Sequence, residues 1–436
     1  MAEDPADRNA MGGASGARRV PYRNNRYYLL AILTLIATFN LADRSLLSIL
    51  VEDVKRDLAL SDMQIGLLTG FAFTTCYALV GLPLARWADE GNRIKLVGVT
   101  TFVFSVMTMA SGAVTSFAQL LLARIGLAAG EAGTMPAANS LLANAFDRSE
   151  RPRAMALFFL SGSFATLIGF GVGGVLNQAV GWRATCLLIG APGVLLSLVA
   201  FATLRETRTG IRFSLAALAP DASMREAVRE LWRIPTYRRL AYAYTLVGVF
   251  SVSIGLWQPA YFLRSFDVDT GALGLSLAVV LSVAFAAGSL LGGELASRFA
   301  AHDECRQFRA MAILTVISVV LSIGIYAVNN LAVALLLVGM TAAIGGGLYA
   351  PFMAGVQSVS PAHRRGVAIA VLLLLSQMAG TGGSTVLIGA MSDAMTPILG
   401  TDALRFVLMG LMPGYLVVAW LYWRISQSIA GDIVQG

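Results

Sequence analysis

The chain has 436 residues, 57% of them hydrophobic and only 13% charged, whereas an ordinary soluble domain carries about 25% charged residues. That composition excludes a soluble globular protein. Its charge is confined to short segments between apolar runs of roughly 20 residues, the length that crosses a hydrocarbon layer about 30 Å thick.

From the N-terminus, Met1 to Arg26 is rich in Gly, Ala, Asp and Arg and lacks an apolar core, so it is expected to be a disordered cytoplasmic tail rather than a signal peptide. Apolar runs then predict membrane-spanning helices over 27–51, 62–86, 94–115, 117–146, 154–179 and 182–204. A second six follow over 238–264, 271–299, 308–328, 331–359, 365–391 and 402–425. The domain boundaries are a tail over 1–26, a six-helix bundle over 27–204, a linker over 205–237, a second bundle over 238–425 and a tail over 426–436. Ser61 with Gln64 has the form of a capping box opening the second span, and Asn329-Asn330 marks the turn between the ninth and tenth. In the linker, Ser223 to Glu226 has the same capping form. Val228, Leu231 and Trp232 are expected on one helical face, with Arg225, Arg229 and Arg233 on the other. This is either an interfacial helix on an anionic leaflet or a solvated linker.

Basic residues are retained in cytoplasmic loops. With the N-terminus inside, five of the 32 Lys/Arg fall outside (Lys55, Arg56, Arg183, Arg264, Arg405), two are intramembrane (Arg44, Arg124), and the remaining 25 are cytoplasmic. Both termini are therefore expected in the cytoplasm, and the inner plasma membrane is the expected location. Cys76, Cys186 and Cys305 imply no disulfide framework, and His302 and His363 form no metal cluster in a span. The lysines Lys55 and Lys95 sit in no phosphate-binding loop. No metal, no cofactor and no nucleic-acid partner are expected, and the chain is expected to be a monomer among membrane lipids.

An internal repeat follows from two matches at nearly one offset. Ala85-Arg86-Trp87-Ala88-Asp89 closes the second span, and Gly293-Glu294-Leu295-Ala296-Ser297-Arg298 closes the eighth, 208 residues later. Arg153-Ala154-Met155-Ala156 opens the fifth span, and Arg365-Gly366-Val367-Ala368 opens the eleventh, 212 residues on. Duplication of a six-helix unit accounts for both. The loop Ala85 to Arg93, with Ala85 and Glu90 as its departures, resembles the signature between helices two and three of the major facilitator superfamily. Leu121 to Ala132 is similar to that superfamily's signature in helix four, and Gly162 to Gly174 has its glycine spacing in helix five. Within it, Asn40-x-x-Asp43-Arg44 together with Gly130-Glu131 and Asp89-x-x-Asn92-Arg93 resembles the Spinster branch. The resemblance implies an all-α membrane fold of two pseudo-symmetric six-helix bundles. It also implies alternating-access transport without enzymatic activity, and an amphiphilic anionic cargo of the lysolipid or sphingolipid kind.

Four ionisable residues lie well inside spans, where charge is costly and marks pathways. Asp43 and Arg44 lie beyond the midpoint of the first helix. Arg124 and Glu131, close to two turns apart, share one face of the fourth. Burial makes a carboxylate easier to protonate and a neighbouring arginine opposes that, so a substrate anion that captures the arginine favours protonation. Asp43 and Glu131 are the candidate proton carriers, with protons as the coupling ion, and Arg44 and Arg124 the anion clamps or carboxylate partners. The alternative is a permanently paired network that only fixes packing. Asn40 joins the candidate binding surface from the first half. The second half offers Trp257, Gln258, Tyr261, Tyr349, Phe352 and Gln377, for each of which ordinary packing or an interfacial aromatic belt is an equal explanation.

For gating, the N-terminus of the eleventh helix at Arg365 would attract Asp89, assisted by Arg93, while Ser297 with Arg298 opposite Arg153 would form a weaker symmetric latch. A solvated loop is the alternative. Glycines at 162–174 and 345–347 allow close backbone approach, which packing alone also explains. Small organic anions or drugs remain alternative cargoes, and a membrane-embedded enzyme or sensor the alternative class.

Overall fold

Polar caps and glycines divide the apolar chain into helices, and the computed structural model, which describes residues 25–147, 149–206, 222–299 and 303–432, is helical almost throughout. The expected N-terminal tail therefore lies almost wholly outside the described residues, whereas residues 426–432 of the expected C-terminal tail continue the last helix, a correction to that boundary. Among the described residues nine helices are long and apolar enough to cross a membrane. Two of them, Arg151–Thr203 and Arg365–Asp432, hold glycines at positive φ, Gly181 (79°) and Gly400 (58°). L side chains rarely adopt that conformation, so glycine there lets the chain reverse. Each of these two is a hairpin of two traverses, and 117–145, interrupted at Ala132 and Gly133, supplies one more. Twelve helical traverses can thus be traced among the described residues, a number consistent with the apolar runs.

The helices are α1 (Arg26–Asp57), α2 (62–90), α3 (Arg93–Ser111), α4 (117–145), α5 (151–180) and α6 (182–203) in the first half. The linker helix is α7 (Ala222–Arg233). The second half has α8 (Pro235–Ser265), α9 (Thr270–Phe299), α10 (Glu304–Ala327), α11 (Leu331–Val359), α12 (365–399) and α13 (403–432). The predicted capping box at Ser61 and Gln64 forms, and Asn330 caps α11 by accepting the Val333 N–H.

Side-chain pairs fix the direction of each traverse. At one end, called near, Arg26 pairs with Glu150, Tyr28 donates to Thr203, and Arg93 pairs with Glu206. At the far end Asn177 donates to Asp53, Trp182 to Asp57, and Arg183 to the Val114 carbonyl. In the second half the Thr236 N–H donates to Asp432 at the near end, and Arg405 donates to the Tyr326 carbonyl at the far end. Lys55, Arg56, Arg183, Arg264 and Arg405, assigned to the outside from the sequence, therefore share the far end.

The halves are latched at that end. Arg264 of α8 donates to Glu52 at 2.7 Å and to Asp62 at 2.7 Å, while Lys55 and Ser392 also donate to Asp62, at 2.5 and 2.7 Å. Asp393 of α12 accepts the N–H groups of Asp62 and Met63 at 2.9 and 2.8 Å, capping the first turn of α2 across the interface. Deeper, the Ser48 hydroxyl donates to the Leu256 carbonyl at 2.5 Å, tying α1 to α8. Close approach depends on glycine. A Cβ on Gly66 would overlap the Thr385 carbonyl, and one on Gly174 would lie 2.5 Å from the Thr270 carbonyl.

Of the glycines expected to permit such contact, Gly169, Gly173, Gly174 and Gly346 have neighbours closer than a Cβ tolerates and Gly347 is tight at 3.1 Å, whereas Gly171 has only ordinary contacts and Gly162 and Gly345 face open space. Wide π-helical turns interrupt α2 at Leu67–Phe71, α5 at Leu167–Val172, α8 at Gly248–Val252 and α12 at Ser376–Ser384. Such turns collect at functional sites. Those of α5 and α12 stand 209 residues apart in corresponding helices, which extends the repeat.

Candidate functional site

The site begins with a break in α4. Its first piece ends at Glu131 and its second starts at Thr134, because Pro136 lacks an N–H and its ring crowds the carbonyl four residues back. The sequence predicts one continuous helix here, so the break is a correction. Gly130 lets this segment press on α3, where a Cβ would stand 2.5 Å from the Phe104 nitrogen. Glu131 is thereby carried into the bundle and buried.

All four intramembrane charges meet. Arg124 pairs with Asp43, which also accepts the Thr108 hydroxyl of α3 at 3.2 Å. Arg44 reaches Glu131 at 3.4 Å, a longer and weaker contact. The guanidinium of Arg44 lies over Phe73 and Tyr77 of α2, 4.8 and 5.5 Å from the ring centroids, and that of Arg124 lies 5.3 Å from Phe73. These rings stabilise cations where water is scarce. Access separates the members: the Arg44 side chain is 32% exposed and that of Glu131 0%, while Asp43 and Arg124 are buried. Glu131 Oε1, Arg44 Nε and Asn40 Nδ2 are buried without a hydrogen-bond partner among the described residues. The arrangement is one closed ion pair, Asp43–Arg124, beside one loose pair, Arg44–Glu131, whose cation alone is reachable. The sequence finds the four charges but misses Thr108, Phe73 and Tyr77, because hydroxyls and aromatics are ordinary in spans.

A cavity of about 420 Å³ opens within the second half, between α8, α9, α10, α11, α12 and α13. Gln258, Tyr349 and Phe352 line it, and so do Tyr244, Tyr326 and Tyr422, which the sequence reading omits. Tyr415 and Tyr422, seven residues apart on one face of α13, were the available signal. Phe352 stacks on Tyr244 with 5.3 Å between centroids. Among the described residues its lining carries no charge.

Trp257 and Tyr261 do not line it, and their expected role is corrected. Trp257 donates to the Thr385 carbonyl at 3.2 Å, and Tyr261 donates to the Ile325 carbonyl at 3.1 Å within an aromatic cluster, so both are packing groups that face neighbouring helices. Gln377 is half-buried and accepts the Thr381 hydroxyl at 3.0 Å of its own helix, outside the cavity lining.

The expected gate divides similarly. The side chains of Asp89 and Ser297 lie outside the described residues. Arg93 is fully buried and committed to the Ser140 carbonyl of the first half and to Glu206 just beyond the end of α6, so it does not reach across the halves as expected. Arg153 is exposed, Arg298 pairs with Glu294 one turn back, and Arg365 donates to the Gln357 carbonyl at 3.2 Å. The latch that the structure displays, Glu52–Arg264–Asp62 with Asp393, lies at the opposite end and was not anticipated.

Residues 33–384 match the family model of the Major Facilitator Superfamily. An MFS-type efflux pump of Mycolicibacterium smegmatis is 32% identical over 410 residues, 93% of either chain. A probable L-galactonate transporter of Escherichia coli is 26% identical over 272 residues, 60% of this chain and 59% of that protein. Human protein spinster homolog 1 is 26% identical over 242 residues, 54% of this chain and 46% of its own. Among solved structures, an inward-facing, unoccupied bacterial homolog to the human lysosomal transporter Spinster superposes with a TM-score of 0.82 at 24% identity, over 95% of this chain and 99% of that one.

Proposed function

The chain belongs to the Major Facilitator Superfamily and is a multi-pass membrane transporter rather than an enzyme, and from that premise we propose that it moves an amphiphilic anion of the lysolipid kind by proton-coupled alternating access. The observation that carries this is the division of the charge cluster: Arg44, the one exposed member, is also the weakly held partner of Glu131. An anionic headgroup that binds Arg44 draws it from Glu131 and leaves a carboxylate in a poorly solvated bundle. Its charge there is costly, and taking up a proton removes the cost. Asp43 stays paired with Arg124 and holds the neighbouring guanidinium in place, serving as the second protonation candidate when the halves rearrange.

The uncharged cavity supports the apolar part of the cargo. Arg44 lies one turn before Ser48, which bonds Leu256; one turn before Leu256 stands Val252, a cavity residue. Headgroup site and cavity edge are therefore at similar depth, since α1 and α8 run in the same direction and a turn rises about 5.4 Å. The near end is the cytoplasmic one on this reading, because it collects the basic residues, in the inner plasma membrane.

The sugar-acid relatives favour a second cargo, a small organic anion on the same Arg44. That ligand leaves the apolar walls unfilled. Proteoliposomes under an imposed pH gradient separate the two. The wild type is expected to accumulate lysophosphatidate and not gluconate, and Asp43→Asn and Glu131→Gln to lose gradient-driven accumulation. Transport of gluconate with no movement of lysolipid overturns the cargo; full pH-driven accumulation by both variants overturns the coupling.

A further inference from the structure

The linker helix α7 folds against the near end of the second bundle, and its faces are not those the sequence predicts. Leu231 is buried in the core shared with Tyr237, Leu240, Ala368 and Leu372, and Ala227, one turn earlier, is buried as well. Glu230 accepts from Arg364 at 3.1 Å, which pins the helix to the start of α12. Trp232 packs edge-on against Tyr237 and Tyr242, 6.3 and 6.1 Å between centroids. Docked this way, Val228 and Trp232 are left on the same side as Arg225, Arg229 and Arg233. These five, with Val371 and Leu375 of α12, line an open groove of about 600 Å³.

The groove has two chemically distinct ends. The three arginines are exposed, and residues four apart on a helix are neighbours, so Arg225, Arg229 and Arg233 form one row of charge. Val371 and Leu375 lie six and ten residues beyond the start of α12, about 9 and 15 Å along the helix from the near end. The apolar floor therefore descends toward the bilayer interior while the cations stay at its surface. Glu226, the other carboxylate of α7, is not among the lining residues, and Glu230 is already paired.

We propose that this groove is a binding site for one anionic phospholipid of the surrounding bilayer, its phosphate on Arg225, Arg229 and Arg233 and an acyl chain along Val228, Trp232, Val371 and Leu375. A soluble phosphate would use the arginines but not the descending apolar floor, and a zwitterionic lipid would bring its ammonium against three guanidinium groups. The site bears on transport through α12. Immediately after Leu375 that helix enters its π-helical stretch, where Ser376 faces the transport cavity, and farther on it carries Asp393 of the far-end latch. A lipid seated in the groove braces α7 against the outer side of the helix whose inner side lines the cargo route. The inference does not depend on the identity of the cargo.

The test counts lipids retained by the purified full chain from micelles holding equal amounts of phosphatidylglycerol and phosphatidylcholine, by native mass spectrometry. Wild type is expected to retain phosphatidylglycerol in preference by about tenfold, the scale of several guanidinium contacts at a membrane surface. The triple variant Arg225→Gln, Arg229→Gln, Arg233→Gln should fall to the composition of the mixture. Val371→Trp keeps the arginines but fills the floor, and should lose the retained lipid as well. Arg306→Gln with Arg309→Gln, exposed basic positions at the same end but outside the groove, should match wild type. Absence of headgroup preference in wild type overturns the proposal. So does an equal loss in the Arg306/Arg309 variant, unchanged retention in Val371→Trp, or displacement of the lipid by millimolar inorganic phosphate.

Discussion

Arg44 and Arg124 are the same residue type at the same depth, yet their substitution has different consequences. Arg124 is enclosed with Asp43 and Thr108, so Arg124→Ala strands a buried carboxylate and should destabilise the fold by about 3–5 kcal/mol. A lowered thermal midpoint in detergent checks this, and Asp43→Asn in the same background should restore part of the loss. Arg44 is partly exposed and loosely paired, and Glu131 can shed its uncompensated charge by taking up a proton, so Arg44→Ala should lower the melting temperature less than Arg124→Ala does. It should weaken substrate binding by about tenfold to a hundredfold, the worth of a charge-assisted hydrogen bond, as read by the substrate concentration at half-maximal uptake. Both arginines were legible in the sequence because a charge in an apolar run stands out. Their division into a structural and a reachable one was not, since it depends on Thr108, Phe73 and Tyr77 from two other helices.

Among the elements, α4, α8 and α12 do most to set the site. The break in α4 at Ala132 and Gly133 turns Glu131 into the core, and its cause, Pro136 two residues into the next helical piece, can be read in advance once the proline is weighed against the apolar run. The far-end latch could not be read in advance, because Arg264, Glu52, Asp62 and Asp393 are remote in sequence and each resembles an ordinary loop charge. Arg264→Gln removes its centre and should shift the population toward the far-open state by about 5- to 150-fold, the range of a coupling free energy of 1–3 kcal/mol. Alkylation of Ser48→Cys from the far side, in a background without Cys76, Cys186 and Cys305, should accelerate accordingly. Gly66→Val reaches the same state by steric means, since its side chain would overlap the Thr385 carbonyl. An unchanged labelling rate in both would show that the latch does not hold the far end shut.

For the whole molecule, apolar length was enough to foretell an all-helical membrane fold, because a bilayer restricts a chain to few architectures, and the twelve traverses traced among the described residues are consistent with the expected count. The glycine-bounded hairpins at Gly181 and Gly400 agree with the span boundaries read from the sequence. The second half was harder to read. Its cavity is assembled from tyrosines and small hydroxyls on five helices, and aromatic residues near a membrane serve packing equally well, as Trp257 and Tyr261 do. The molecule that results puts the intramembrane charge cluster in one bundle and, among the described residues, an uncharged, aromatic cavity in the other, which is the asymmetry that supports the proposed amphiphilic cargo. In the proposed mechanism cargo on Arg44 obliges Glu131 to take a proton, and the direct measurement is proton uptake by purified protein in weakly buffered detergent as lysophosphatidate is added. The wild type is expected to take up about one proton per lipid bound, and Glu131→Gln none although it still binds. Stoichiometric binding by the wild type without proton exchange, or undiminished exchange in Glu131→Gln, would contradict it.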